Sequence, residues 1–140
     1  MTYQDGPIGY RIAHPRGWHV SSRGTQTRFA DPDSGTYLLV DWTATPGTSP
    51  TADWQAQSAS FGASHQGYRE LGITTTAFKQ FPAAAWEYVY SAGGAQLHAV
   101  DLGFVAGSRG YALNFQAREQ DWARSQSTFE RFKESFQPGP

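Results

Sequence analysis

The chain has 140 residues, 11 basic and 12 acidic, with a formal charge of −1; it lacks the basic excess that displaces counterions from nucleic-acid phosphates. It has no cysteine, which excludes a disulfide framework, a zinc–thiolate site and a thiol nucleophile. Charged residues are only 16% of the chain and aromatic residues 15%, so Ser, Thr, Gln and Gly must finish the surface while Trp, Tyr and Phe supply large core side chains.

In chain order, residues 8–13 read as a strand, Pro15 as a break, and residues 17–21 as a second strand led by Trp18. A third strand near 26–30 runs into Asp31-Pro32-Asp33-Ser34-Gly35, where proline presets φ and glycine permits positive φ, so the chain turns. Residues 36–43 form a fourth strand and residues 46–50 a loop. In that loop Ser49 followed by Pro50 suits an N-cap and a first helical position. The spacing of Trp54, Ser58, Phe61 and His65 places them on one face of a helix over 50–66, with Gly67 positioned to cap it. Its internal Ser and Gly make this helix depend on tertiary packing.

Four more strands are predicted, at 68–80, 83–91, 95–106 and 111–117. A second helix over 119–136 stacks Trp122, Phe129, Phe132 and Phe136 in one stripe, with Lys133 at its edge. The order is four strands, helix, four strands, helix. It predicts an α+β fold: an antiparallel β-sheet with two amphipathic helices packed in layers, an α/β/α sandwich, as one domain over 1–140.

The chain offers little catalytic chemistry. His14, His19, His65 and His98 have no metal-ligand spacing, so no metal site is expected. Residues 31–35 lack the ligand register of a calcium loop. There is no Gly-x-Ser-x-Gly elbow and no glycine-rich phosphate loop, so no catalytic residue is assigned and no cofactor is expected. No run approaches the ~18 apolar residues of a membrane span, and no signal peptide is evident. Any membrane anchor is therefore expected outside this chain.

The hairpins carry the finer reading. With turns at Ala92-Gly93 and Ser108-Arg109, Val89, Val100, Leu102, Phe104, Leu113 and Phe115 share a core face, with Glu87 opposite His98 at its rim. The other face presents Trp86, Tyr88 and Tyr90 beside Asp101, Asn114 and Gln116, over the small residues Ala99, Gly103 and Ala112. Large rings over a floor of small residues, with converging polar groups, suit a ligand cleft. Those six larger side chains are the candidate ligand-binding residues. The alternative is that the first helix covers this face with Trp54 and Phe61, leaving loops 44–50 or 31–35 to bind.

The framework Gly9-Tyr10-x-Ile12-x-x-Pro15-x-Gly17-Trp18, with Asp31-Pro32-Asp33, Pro50-x-x-x-Trp54, Gly67-Tyr68, Ala84-Ala85-Trp86-Glu87-Tyr88, Gly110-Tyr111-Ala112-Leu113 and Trp122…Phe129…Phe136, resembles one family. It is the extracytoplasmic C-terminal domain of actinobacterial membrane serine/threonine kinases and related cell-wall lipoproteins, with the PsbP-like fold. The resemblance spans nearly the whole chain through aromatic and glycine positions, which specify fold better than function. It implies an extracytoplasmic, non-enzymatic sensor or binding domain of a membrane-anchored kinase. Its partner would be a small polar ligand or a protein, with the membrane met only through an anchor outside this chain. The alternative is an accessory or assembly protein of the PsbP type acting through protein–protein contacts; a hydrolase with a hidden site comes last.

Overall fold

A computed structural model of the chain describes residues 1–6 and 9–140. Its strands are β1 (Thr2–Gln4), β2 (Arg11–Ala13), β3 (His19–Arg23), β4 (Gln26–Ala30), β5 (Tyr37–Thr43), β6 (Arg69–Phe78), β7 (Phe81–Ala92), β8 (Ala95–Ala106) and β9 (Arg109–Arg118). Its helices are α1 (Pro50–Ser64) and α2 (Glu119–Ser135). Seven strands form an antiparallel sheet in the order β3-β4-β5-β9-β8-β7-β6, and β1 and β2 form a separate ribbon.

The α+β layers follow from hairpins closed by tight turns. The turns between β7, β8 and β9 fall one residue from the expected positions, at Gly93-Gly94 and Gly107-Ser108. Gly93, Gly94 and Gly107 all have positive φ (57°, 80° and 64°), a conformation that a side chain at Ala92 or Arg109 would resist. Moving a turn by one position changes each cross-strand partner by two, so every residue keeps its expected face. Glu87 accordingly pairs with Val100 rather than His98 in register, yet its carboxylate still reaches the His98 ring diagonally at 2.6 Å.

The core face carries Phe29, Leu38, Val40, Leu102, Phe104, Leu113 and Phe115, all buried, and α2 lies on it. Phe129 stacks on Phe115 with centroids 4.8 Å apart, and Phe132 meets Trp18, Phe29 and Phe115. Two polar anchors fix the start of α2. Asp121 is 2% exposed and paired with Arg118 and Arg124. His98 stacks on Trp122 between the carboxylates of Glu87 and Glu119. Lys133 covers the stripe's edge, its Nζ 4.5 Å from the centre of the Phe129 ring.

Several boundaries differ from expectation. Ile8, the expected start of the first strand, lies outside the described residues; that strand begins at Arg11 and pairs with Thr2–Gln4, which carries no strand signal of its own. The next begins at His19 because Gly17 turns with φ at 89°. Ser49 caps α1 as expected, accepting from the Ala52 amide, but the helix ends at Ser64. His65 is then extended and exposed, stacked on Phe61 and bonded to the Phe61 carbonyl. Gly67, with φ at 68°, serves the following turn.

Candidate ligand-binding cleft

The face opposite the core is built from cross-strand rows. One row runs Arg28, Leu39, Asn114, Asp101, Trp86 and Ile73 from β4 to β6. The next runs Tyr37, Gln116, Ala99 and Tyr88, and a third runs Gln26, Asp41, Ala112, Gly103 and Ala84. Alternation along each strand dictates this: the intervening positions are the apolar residues of the core face.

Helix α1 packs across β6, β7 and β8. Trp54 and Phe61 do cover part of the aromatic face, as the alternative reading required. Trp54 sits against Trp86, and Phe61 against Tyr88 and Tyr90. The face continues past the helix onto β9, β5 and β4, and a cavity of about 430 Å³ forms at that boundary. Trp86, Tyr88, Tyr90, Asp101, Asn114 and Gln116 all line it. The exposed side chains of Gln26 and Gln57 form its rim. A second cavity, of about 490 Å³, shares Asp41, Trp54, Gln57 and Ala112 with the first, so the two make one groove along the edge of α1.

Buried polar groups in the cleft are interlinked. The Asn114 amide donates to the Tyr88 hydroxyl at 3.4 Å, which donates to Asp101 Oδ2 at 3.2 Å. The Tyr90 hydroxyl donates to Gln116 Oε1 at 2.6 Å. Beneath the helix, Trp86 Nε1 donates to the Tyr68 hydroxyl, which bonds Ser58, and Ser58 donates to Glu70. This relay ties α1 to β6 and explains why Ser58 is buried in the helix. Asp101 is 9% exposed, and burial pushes its carboxyl up to about 7 although hydrogen bonds with Asn114 and Tyr88 favour the ionised form. Burial likewise pushes the Tyr37 hydroxyl up to about 12.

Sequence reasoning did not name Tyr37, Leu39, Asp41, Gln26 or Gln57 among the cleft residues. The period-2 pattern of residues 36–43 was the available signal, since it puts Tyr37, Leu39 and Asp41 on one face. It could not place β5 beside β9, a pairing across some seventy residues of chain. Among the described residues, no group of three or more His, Asp or Glu is placed to hold a metal ion. The Asp31 carboxylate accepts from Asp33 N and Ser34 Oγ, the bonding of a turn.

Gly103 sets the depth of the cleft floor. A Cβ there would lie 2.9 Å from Trp54 Cζ2 and 3.0 Å from Nε1, the nitrogen that donates to the Ala84 carbonyl. Gly103→Ala should therefore displace the indole and cost about 1–3 kcal/mol, the usual range for overpacking. Urea unfolding followed by tryptophan fluorescence checks this; an unchanged midpoint and emission spectrum would contradict it.

A sequence profile for the serine/threonine kinase C-terminal domain matches residues 2–138. The chain belongs to that family. This C-terminal domain is distinct from the kinase's catalytic part, in keeping with the architecture above. No curated protein sequence matches the chain at a significant level. Among solved structures, the PsbP protein CyanoP from Synechocystis sp. PCC 6803 matches with a TM-score of 0.75 and 17% identity, over 99% of this chain and 91% of that one. LpqN of Mycobacterium tuberculosis, described as involved in cell envelope biogenesis, matches with a TM-score of 0.69 and 14% identity, over 100% and 91%. A putative regulator of unknown function from Pseudomonas aeruginosa matches with a TM-score of 0.68 and 14% identity, over 100% and 97%. At these identities the kinase C-terminal domain shares a fold with them, the PsbP-like fold. Among its described residues, no helix is long and apolar enough to cross a membrane.

Proposed function

We propose that this domain is the non-enzymatic sensor of a membrane-anchored serine/threonine kinase, displayed outside the cytoplasm, and that it binds a small polar ligand in the cleft beside α1. The observation that carries this reading is the convergence of Trp86, Tyr88, Tyr90, Asp101, Asn114 and Gln116 on one solvent-reaching cavity. A concave, largely aromatic site with a few fixed polar groups is the usual form of a small-molecule site. Membership of the kinase C-terminal family supports the link to a kinase. Structural likeness to a protein of cell envelope biogenesis supports the location. On this reading the membrane anchor belongs to another part of the polypeptide.

A thermal-shift screen of polar metabolites tests the proposal, because a ligand that binds only the native state raises its stability. Hits should perturb the Trp54 and Trp86 indole and the Asn114 and Gln116 amide resonances. If the only molecules that bind are proteins, and they perturb the free edge of β6 around the exposed Leu71, the domain is instead an assembly module.

A further inference from the structure

Resting on the sensor reading, the charge and ring pattern of the groove narrows the ligand further. The chain as a whole is nearly balanced, with 11 basic and 12 acidic residues, but the groove is not. Its two joined cavities are lined by three carboxylates, Asp41, Asp53 and Asp101, and by no Lys, Arg or His among the described residues. None of the three carboxylates is in an ion pair among the described residues. Asp101 is nine-tenths buried and its side-chain partners, Tyr88 and Asn114, are neutral. Charge of one sign held in a low-dielectric cleft attracts counter-charge and repels like charge more strongly than it would in water.

The rings give the second half of the argument. Trp54, Trp86, Tyr88, Tyr90 and Tyr37 all contribute to the lining, and the faces of such rings attract cations. One of them already holds one: the Arg28 guanidinium lies 4.0 Å above the centre of the Tyr37 ring, in the same cross-strand row as Asp101. The Asp41 carboxylate accepts from Thr25, Gln26 and the Trp42 amide, and Asp101 accepts from Tyr88, but these donors are neutral. A neutral hydroxylated ligand would use the rings and amides and leave the carboxylates without a counter-charge. An anionic ligand would face them without compensation. A ligand with a protonated or quaternary amine uses both sets of groups. We infer that the groove between α1 and the β9–β5 half of the sheet binds a small organic cation, with its ammonium group between the aromatic rings and the carboxylates of Asp101 and Asp41.

The test titrates the whole chain with choline, glucosamine and putrescine. The controls are the neutral carbon isostere of choline, glucose, and the anion glucuronate, and binding is followed by calorimetry and by the Trp54 and Trp86 indole resonances. At least one amine should bind in the groove about tenfold or more tighter than its neutral counterpart, with glucuronate weaker still. Asp101→Asn and Asp41→Asn should each reduce the ratio of amine affinity to neutral-compound affinity, because each removes a negative charge from the cavity lining. Both are near-isosteric, and retained wild-type spectra would show that the fold is intact. Neutral counterparts that bind in the groove as tightly as the amines, or glucuronate binding more tightly, would overturn the cation assignment and leave the sensor reading standing. If no amine perturbs the groove while other metabolites do, the assignment again fails alone. If no small molecule of any charge perturbs it, both readings fall together.

Discussion

Replacing Phe132 with alanine should lower the unfolding free energy by about 3–5 kcal/mol, the range for deleting a buried aromatic side chain. Phe132 is 1% exposed and touches Trp18, Phe29 and Phe115, so it joins α2 to β4, β9 and the segment before β3. Its removal leaves a cavity whose walls belong to separate elements and cannot all move inward together. Phe129→Ala should fall in the same range, because that ring is 4% exposed and stacks directly on Phe115. The two losses should not add, since both rings rest on Phe115 and the first substitution frees space that the second would have opened. With a native stability of about 5–15 kcal/mol for ordinary domains, either change is a large fraction of the whole. Urea denaturation measures it as a lower midpoint at unchanged slope. Midpoints equal to wild type would mean that the α2 stripe does not face the sheet.

The same stripe shows what a sequence can reveal about this fold. Trp122, Phe129, Phe132 and Phe136 recur at helical spacing, and a helix with one apolar face has few ways to bury it. The hairpins from β6 to β9 were legible for a similar reason: their partners are neighbours in the chain, and a period of two assigns faces even when a turn is misplaced by one residue. That is why Trp86, Tyr88, Tyr90, Asp101, Asn114 and Gln116 were readable as one surface. The remainder depends on distant pairing. Thr2–Gln4 becomes a strand only because Arg11–Ala13 offers it an edge. Asp41 reaches the groove only because β5 joins β9. How far α1 extends across the sheet is equally non-local, fixed by Trp54 over Gly103 and by the Ser58–Tyr68 contact. That extent decides whether the aromatic face is a sealed layer or a cleft.

Asp101→Asn should make the protein more stable than wild type above neutral pH, and the difference should vanish in acid. Burial raises the Asp101 carboxyl from its ordinary 3.8 to about 7, so between these values the folded chain holds a proton that the unfolded chain has released. Stability depends on pH through the difference in bound protons, and here the native state binds more. Wild-type stability from this group is therefore fully present below about pH 4 and falls as pH rises through about 7. At about 1.4 kcal/mol per pKa unit, the loss has a ceiling of about 4 kcal/mol. Asparagine cannot ionise, and its carbonyl oxygen can still accept from the Tyr88 hydroxyl, so the variant keeps the hydrogen bond and loses the penalty. The other charged and titratable groups around this part of the cleft are Tyr88 and Tyr90 on β7, Tyr37 and Asp41 on β5 and Arg28 on β4. All are shared by the two proteins, so subtracting one stability curve from the other isolates Asp101. Urea unfolding from about pH 4 to about pH 8 measures both curves across the window in which the carboxyl titrates. A variant less stable than wild type at the alkaline end would mean that the ionised carboxylate is already stabilised by its surroundings. In that case the cleft would have no unmet demand for a cation.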